Sequence, residues 1–345
     1  MELLWLLALA CIGLLLLFDF TNGFNDTANM VASVVASRAM TPAQAIVVVS
    51  VFTFLGPLLA GTAVANTLGG FVLLNDLPPI AGIELLVSGV AGAIALNILT
   101  WWRGLPSSSS HALIGGLSGV VLVAVGADHV VWGWHTLVEE GRFTGLTMIL
   151  AILLLAPPAG LLAGFLLHRF MRLALRRAHP DINRPLRRLQ WLGAAWLSFA
   201  HGANDAQKSM GIMTLALLLG GAIPRFEVPM WVILLCATAI TLGTASGGWR
   251  IVRTVGFGIY RLRPLHAFDS QLASAAVISI AAAVGGPVST SHVVSSSIMG
   301  VGAAERAKAV RWGKAAEILF TWFVTLPAAA VLAVLFHTVL KIWMP

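Results

Sequence analysis

Two Asn-Asp pairs, Asn25-Asp26 and Asn204-Asp205, fall inside long apolar stretches, and each is followed at nearly the same distance by a proline-serine-histidine cluster. The first copy reads G-F-N-D-T-A-N over Gly23–Asn29 and then L-P-S-S-S-S-H over Leu105–His111. The second reads H-G-A-N-D-A-Q-K over His201–Lys208 and then G-P-V-S-T-S-H over Gly286–His292. Between the two landmarks Gly61-Thr62-Ala63 recurs as Gly243-Thr244-Ala245, so the register is held along the whole of both copies. A chain built this way folds as two related halves that meet, and polar pairs in the middle of apolar runs belong at that meeting place.

The environment follows from composition. At 58% hydrophobic, 10% charged and a mean hydropathy of +0.90, 345 residues carry too little polar surface to cover a soluble globule. Stretches such as 43–65, 80–101, 144–168, 228–246 and 315–340 approach or exceed the ~20 residues that cross hydrocarbon as a helix. Trp5, Trp191, Trp231, Trp312 and Trp343 sit near expected span ends, as interfacial anchors do. The opening apolar run has Glu2 rather than a basic flank and leads straight into Asn25-Asp26, so it is read as a first span and not a cleaved leader. Cys11 and Cys236 match no ligand spacing and are read as small core residues.

The formal charge of +7 is not spread as a nucleic-acid surface would be, and no nucleic-acid partner is expected. Seven arginines fall between Arg169 and Arg188, which places that connection on the cytoplasmic side of an inner (plasma) membrane. Threading from that loop makes the fold class an all-α polytopic membrane protein, an inverted-topology repeat with broken helices and two re-entrant helical hairpins. The first repeat is expected over 1–168 with its hairpin at about 80–126, the basic linker over 169–188, and the second repeat over 189–345 with its hairpin at about 268–304. Both termini then lie outside. The tips fall at Pro106–Ser110 and Pro287–Ser291.

Asp26 and Asp205 are expensive at mid-membrane unless a cation or proton accompanies them. With Asn25 and Asn204 they are the expected coupling-ion site, with Na⁺ at Asp26 and Asp205 one candidate. Each could instead cap or satisfy a helix break. Asn29 and Gln207 are weaker candidates for the same ions, and Lys208 either balances Asp205 or faces an anion. Ser107, Ser108, Ser109 and Ser110, with Ser289, Thr290 and Ser291, surround two helix starts whose unpaired N–H groups favour an anion. N-capping alone would need one serine at each tip. His111 and His292 either shuttle protons or bond a neighbour.

On these motifs the chain resembles the inorganic phosphate transporter (Pit) family, as a compact prokaryotic member. The resemblance rests on G-F-N-D-T-A-N, on His201–Ile212, on Gly104–Gly116 and on Pro287–His292, and runs along essentially the whole chain. It implies symport of inorganic phosphate with sodium or protons, no cofactor beyond that cation, and a homodimer in the bilayer. It also implies the Asn-Asp residues as cation ligands and the tip hydroxyls as phosphate ligands. Sulfate or another oxyanion is the alternative cargo, and a passive anion channel the nearer rival mechanism. An intramembrane enzyme is the remote alternative, disfavoured because two equivalent serine clusters supply no single nucleophile with an oriented base.

Overall fold

The computed structural model describes residues 2–104, 107–247 and 262–343. Leu105 and Pro106 of the first tip lie outside the described residues, as do Arg250, Arg253 and Arg261. Twelve helices are described: α1 (Glu2–Ala36), α2 (Pro42–Leu59), α3 (Ala63–Gly69), α4 (Pro79–Arg103), α5 (Ser109–Ala124), α6 (Trp134–Glu140), α7 (Gly145–Ala174), α8 (Asn183–Leu219), α9 (Met230–Ser246), α10 (Pro264–Ala283), α11 (Thr290–Arg306) and α12 (Trp312–Trp343). Among the described residues the only β pairing is a single bridge, Val72 to Val130.

Six of these helices are long and apolar enough to cross a membrane: α1, α2, α4, α7, α10 and the 319–343 part of α12. α8 is absent from that set although it is the longest, at 37 residues. Its central turns from Ala200 to Leu217 are buried without a break, so α8 is sheathed by protein and tolerates polar residues that lipid would reject.

The helix ends follow local chemistry. Thr41 caps α2 through a reciprocal box with Gln44, and Pro42 sits in the first turn. Gly104 ends α4 in the left-handed conformation at φ 67°. Ser108 and Ser289 are the caps of α5 and α11, each accepting the backbone N–H three residues on, from His111 at 3.1 Å and His292 at 3.4 Å. The helices therefore start earlier than the sequence suggested: Ser109, Ser110, Thr290 and Ser291 belong to first turns, not to the loops before them.

Two further expectations are corrected. α1 and α8 run unbroken through Asn25-Asp26 and Asn204-Asp205, because Asp26, Asn204 and Asp205 bond outward to other elements and leave the backbone ladder intact. Thr27 shows the same economy, its hydroxyl back-bonding to Gly23 O at 2.7 Å and reaching Thr244 O at 3.0 Å. Each serine-bearing segment instead follows the end of one helix and opens the next, α4 to α5 and α10 to α11. The basic linker is also shorter than 169–188, since α7 runs to Ala174 and α8 begins at Asn183, so Arg169, Arg172, Arg184, Arg187 and Arg188 ride on helix ends.

The halves interlock. α11 packs along α7, and α5 packs along α12, so the second arm of each hairpin lies on the last long helix of the opposite half. α1 crosses α9 and α2 crosses α8. Both crossings are closed on glycine: a Cβ on Gly243 would sit 2.0 Å from Phe20 O, and one on Gly202 would sit 2.1 Å from Thr53 O. Small residues let backbones meet where apolar burial supplies no drive toward association in lipid.

Candidate functional site

α1 carries a polar seam on one face. Asp19, Asn22, Asp26, Asn29 and Ser33 follow one another at intervals of three or four residues, all buried, in a helix otherwise rich in Leu, Val and Ala, and buried Ser37 follows in the turn just past its end. That spacing stacks the five helical residues along one line over roughly 21 Å of helix axis. α8 faces the middle of the seam with His201, Asp205, Lys208 and Ser209.

The hairpin tips close on this seam from both sides. Ser291 donates to Asp26 Oδ1 at 2.6 Å, and Asn29 Nδ2 donates to the same oxygen and to Ser291 Oγ at 2.7 Å each. In the other half, Lys208 Nζ donates to Asp205 Oδ1 at 2.6 Å, to Ser110 Oγ at 2.5 Å and to Val288 O at 2.9 Å. Ser110 Oγ itself donates to Val288 O at 2.7 Å, joining the two tips directly. Asn22 accepts from Ser109 Oγ at 2.6 Å and donates to Asp205 Oδ2 at 3.2 Å, while His201 Nδ1 lies 3.2 Å from Thr290 Oγ1 and 3.4 Å from Asp205 Oδ2.

The pattern is reciprocal. Asn22 and His201 each hold a hydroxyl of their own half's tip, Ser109 and Thr290, whereas Asn29 and Lys208 each reach the opposite half's tip, at Ser291 and Ser110. Asp26, Asp205 and His201 bring one ligand atom each within 4.8 Å of one another. Two carboxylates against one lysine leave the cluster short of positive charge, and all three side chains are shielded from solvent. Such a site attracts a cation to the acids, and offers an anion one ammonium, four hydroxyls and two helix starts.

The remaining sequence candidates take other places. Asn204 pins the second tip, donating to Gly286 O at 2.9 Å and accepting from Val288 N at 3.1 Å. Asn25 turns the other way, into a cavity of about 180 Å³ lined by Phe20, Phe24, Asn97 and Trp101, with its buried oxygen unbonded. Gln207 is not brought to the cluster: its oxygen accepts from Val64 N at 2.9 Å and Ala65 N at 3.2 Å, capping the start of α3. Ser107 lies 2.6 Å from Thr100 Oγ1, back toward α4. Ser108 and Ser289 are committed as caps. His111 and His292 meet at a tilt of 46° with ring centroids 4.8 Å apart, and His292 stacks on Trp322 at 4.1 Å.

Asp19, Asn22, His201 and Ser209 were not singled out from sequence. Asp19 is fully buried, its Oδ1 accepts from Ser209 at 2.5 Å, and its Oδ2 has no hydrogen-bond partner. Asn22 and Asp19 lie one and two turns before Asp26, so extending the 3–4 spacing backward along α1 was the available signal.

The comparisons agree with this architecture. A family model described as the phosphate transporter family matches residues 22–333. A "Probable low-affinity inorganic phosphate transporter" of Bacillus subtilis is 38% identical over 99% of both chains, and one of Rhizobium meliloti is 39% identical over 95% of both. A solved structure titled "The sodium-dependent phosphate transporter" superposes with a TM-score of 0.84, covering 97% of this chain and 99% of that one at 24% identity. With a family model spanning most of its length and relatives of this similarity end to end, the chain belongs to the phosphate transporter family.

Proposed function

We propose that this multi-pass transporter imports inorganic phosphate by symport with a cation, sodium or a proton, and that the cluster between the two tips is where both are held. The observation that carries the proposal is the reciprocal placement of Asp26 under Ser291 and of Asp205 with Lys208 under Ser110. Acids and anion-favouring helix starts share one buried locus.

Charge accounting then requires coupling. Two carboxylates and a divalent oxyanion a few Å apart repel by several kcal/mol even at an effective dielectric of ~20, and one lysine offsets only part of this. Cations entering at Asp26 and Asp205 remove the repulsion and complete the anion pocket. Lys208 and the hydroxyls of Ser109, Ser110, Thr290 and Ser291 are the groups assigned to the anion. Monohydrogen phosphate can also donate a hydrogen bond to an acid or amide oxygen, which sulfate at neutral pH cannot. That difference favours phosphate over sulfate as cargo. The inverted arrangement, with the arginine-rich linker inside, both termini outside and a homodimeric assembly, belongs to the same proposal.

A serine enzyme finds no support in the geometry. The closest Ser-His pair, Ser108 Oγ and His111 Nδ1 at 2.6 Å, is a helix cap whose oxygen already accepts the His111 N–H.

Radiolabelled phosphate uptake into proteoliposomes under an imposed sodium or proton gradient tests the proposal. Accumulation above the external concentration on one of those gradients is expected. Uptake that only equilibrates, whatever the gradient, would establish a passive channel instead.

A further inference from the structure

α7 and α11 run side by side in the same direction and touch on glycine. A Cβ on Gly164 would meet Ser297 O at 2.4 Å, and one on Gly300 would meet Leu161 O at 2.0 Å. Toward the end of α7 a cavity of about 520 Å³ opens between the two helices, walled by Phe165 on one side and by Ala303 and Ala304 on the other. Three guanidinium groups line it, Arg169 and Arg172 from α7 and Arg176 from the turn just past its end.

Each guanidinium is placed differently. Arg169 lies over the Phe165 ring, 5.6 Å from its centroid, a contact that orders the side chain without neutralising it. Arg172 Nη1 donates to Ala304 O at 3.4 Å and its Nε lies 3.3 Å from Glu305, which holds it against α11. Among the described residues neither Arg169 nor Arg176 has an acid within ion-pair distance. Three cations against Glu305 alone leave a surplus of positive charge.

A guanidinium fork matches two oxygens of a phosphate, so a surplus of such forks around one cavity selects a phosphate-bearing anion. The row beside it says what else that anion carries. Leu162, Leu166, Phe170 and Leu173 follow one another along α7 at intervals of three or four residues, each more than half exposed, and Leu173 reaches the rim of the cavity. On a membrane helix that row meets acyl chains, which sets the arginines at the level of the headgroups.

We propose that Arg169, Arg172 and Arg176 bind the phosphodiester headgroup of an anionic phospholipid whose acyl chains lie along Leu162, Leu166 and Phe170. Arg169 and Arg176 take the phosphate oxygens, while Arg172 stays on Glu305 and offers its remaining N–H groups. The lipid then bridges α7 and α11, fastening the return arm of the second hairpin to the last helix of the other half. The leaflet is the cytoplasmic one on the orientation proposed above, whereas the pocket depends neither on that orientation nor on transport.

Native mass spectrometry of the full chain, stripped of lipid in neutral detergent and titrated with phosphatidylglycerol, tests the site, with phosphatidylcholine and free glycerol phosphate as the other arms. Saturable binding of one phosphatidylglycerol per chain is expected, at least about tenfold tighter than either of the others. Arg169→Gln combined with Arg176→Gln should weaken it about 25-fold, at about fivefold for each arginine. Arg187→Gln combined with Arg188→Gln removes the same charge from exposed positions of α8 that do not line the cavity, and should bind as wild type. Arg172 is left in place because it also holds α11. Arg176→Gln alone, past the helix end, repeats the measurement with the smallest change to the fold and should show the single fivefold step.

Equal losses in the two double variants would reduce the effect to general attraction by a basic face. Glycerol phosphate binding as tightly as the lipid would make the pocket a site for a soluble phosphate. Either result, or the absence of saturable phosphatidylglycerol binding, overturns the lipid assignment.

Discussion

Lys208 Nζ stands 2.5 Å from Ser110 Oγ, joining α8 in the second half to the hairpin tip of the first. The same ammonium holds Asp205 Oδ1 at 2.6 Å, so a single buried cation neutralises an acid and tethers a tip. Removing it as Lys208→Met leaves Asp205 buried beside Asp26 without its partner, which costs about 3–5 kcal/mol. The expected result is a lower melting temperature in detergent and loss of uptake. Lys208→Arg should recover more stability than activity, because the planar guanidinium cannot reproduce three bonds that converge on one nitrogen. Normal uptake in Lys208→Met would remove the lysine from the anion's assigned partners.

Asp26→Asn keeps the shape and the bonds from Ser291 and Asn29 but not the charge. It is expected to fold with a melting temperature close to wild type, while coupled uptake falls by two orders of magnitude or more, the difference of about 3 kcal/mol that a lost charged contact commonly makes. A titration of uptake against sodium and against pH checks it. Full activity in this variant would detach Asp26 from the coupling ion.

Asn204→Ala separates tip positioning from ion binding. It orphans Gly286 O and Val288 N together, two buried backbone groups at about 1–3 kcal/mol each. The expected phenotype is destabilisation and faster proteolysis near the second tip. Asn25→Ala, whose oxygen has no partner, should instead be nearly neutral for stability.

Gly243→Leu is predicted to be the most disruptive conservative-looking change in the apolar shell. A Cβ there already meets Phe20 O at 2.0 Å, so α1 and α9 must part and the seam on α1 shifts with them. Expression level and size-exclusion profile are the measurements. A leucine at Gly13, where a Cβ meets nothing within 4 Å, is the matched control and should behave as wild type.

Asp19→Asn probes the part of the seam that lies two turns before Asp26. A fully buried acid held through Ser209 requires a proton or a passing cation. The variant is expected to fold normally and to change the dependence of uptake on the coupling ion. An unaltered ion and pH profile would make Asp19 a purely structural neighbour of Ser209.

Much of the architecture was legible because the membrane forces regularity. Apolar lengths marked α1, α2, α4, α7 and α12, and the duplicated landmarks brought Asp26, Asp205, Ser110 and Ser291 to the same place. Sequence missed what depends on direction. A polar pair in a span reads as a break, yet in α1 and α8 the outward bonds of Asp26 and Asp205 leave the helix whole. Gln207 and Asn204 looked like ligands by type, but one caps α3 and the other pins a turn, roles that only their partners reveal. Asn22 and His201 escaped notice because the copies differ in residue type there, amide against imidazole, while occupying equivalent positions around the tips. The shielded course of α8 was also hidden, since the run 189–221 reads as a crossing interrupted at its polar centre until its neighbours are known.

The crossed packing of α5 on α12 and of α11 on α7 makes each half the scaffold for the other. A chain severed between Leu175 and Ile182 therefore yields two fragments that are each incomplete alone, but that should reassemble when made together, since every helix they exchange still finds its bed.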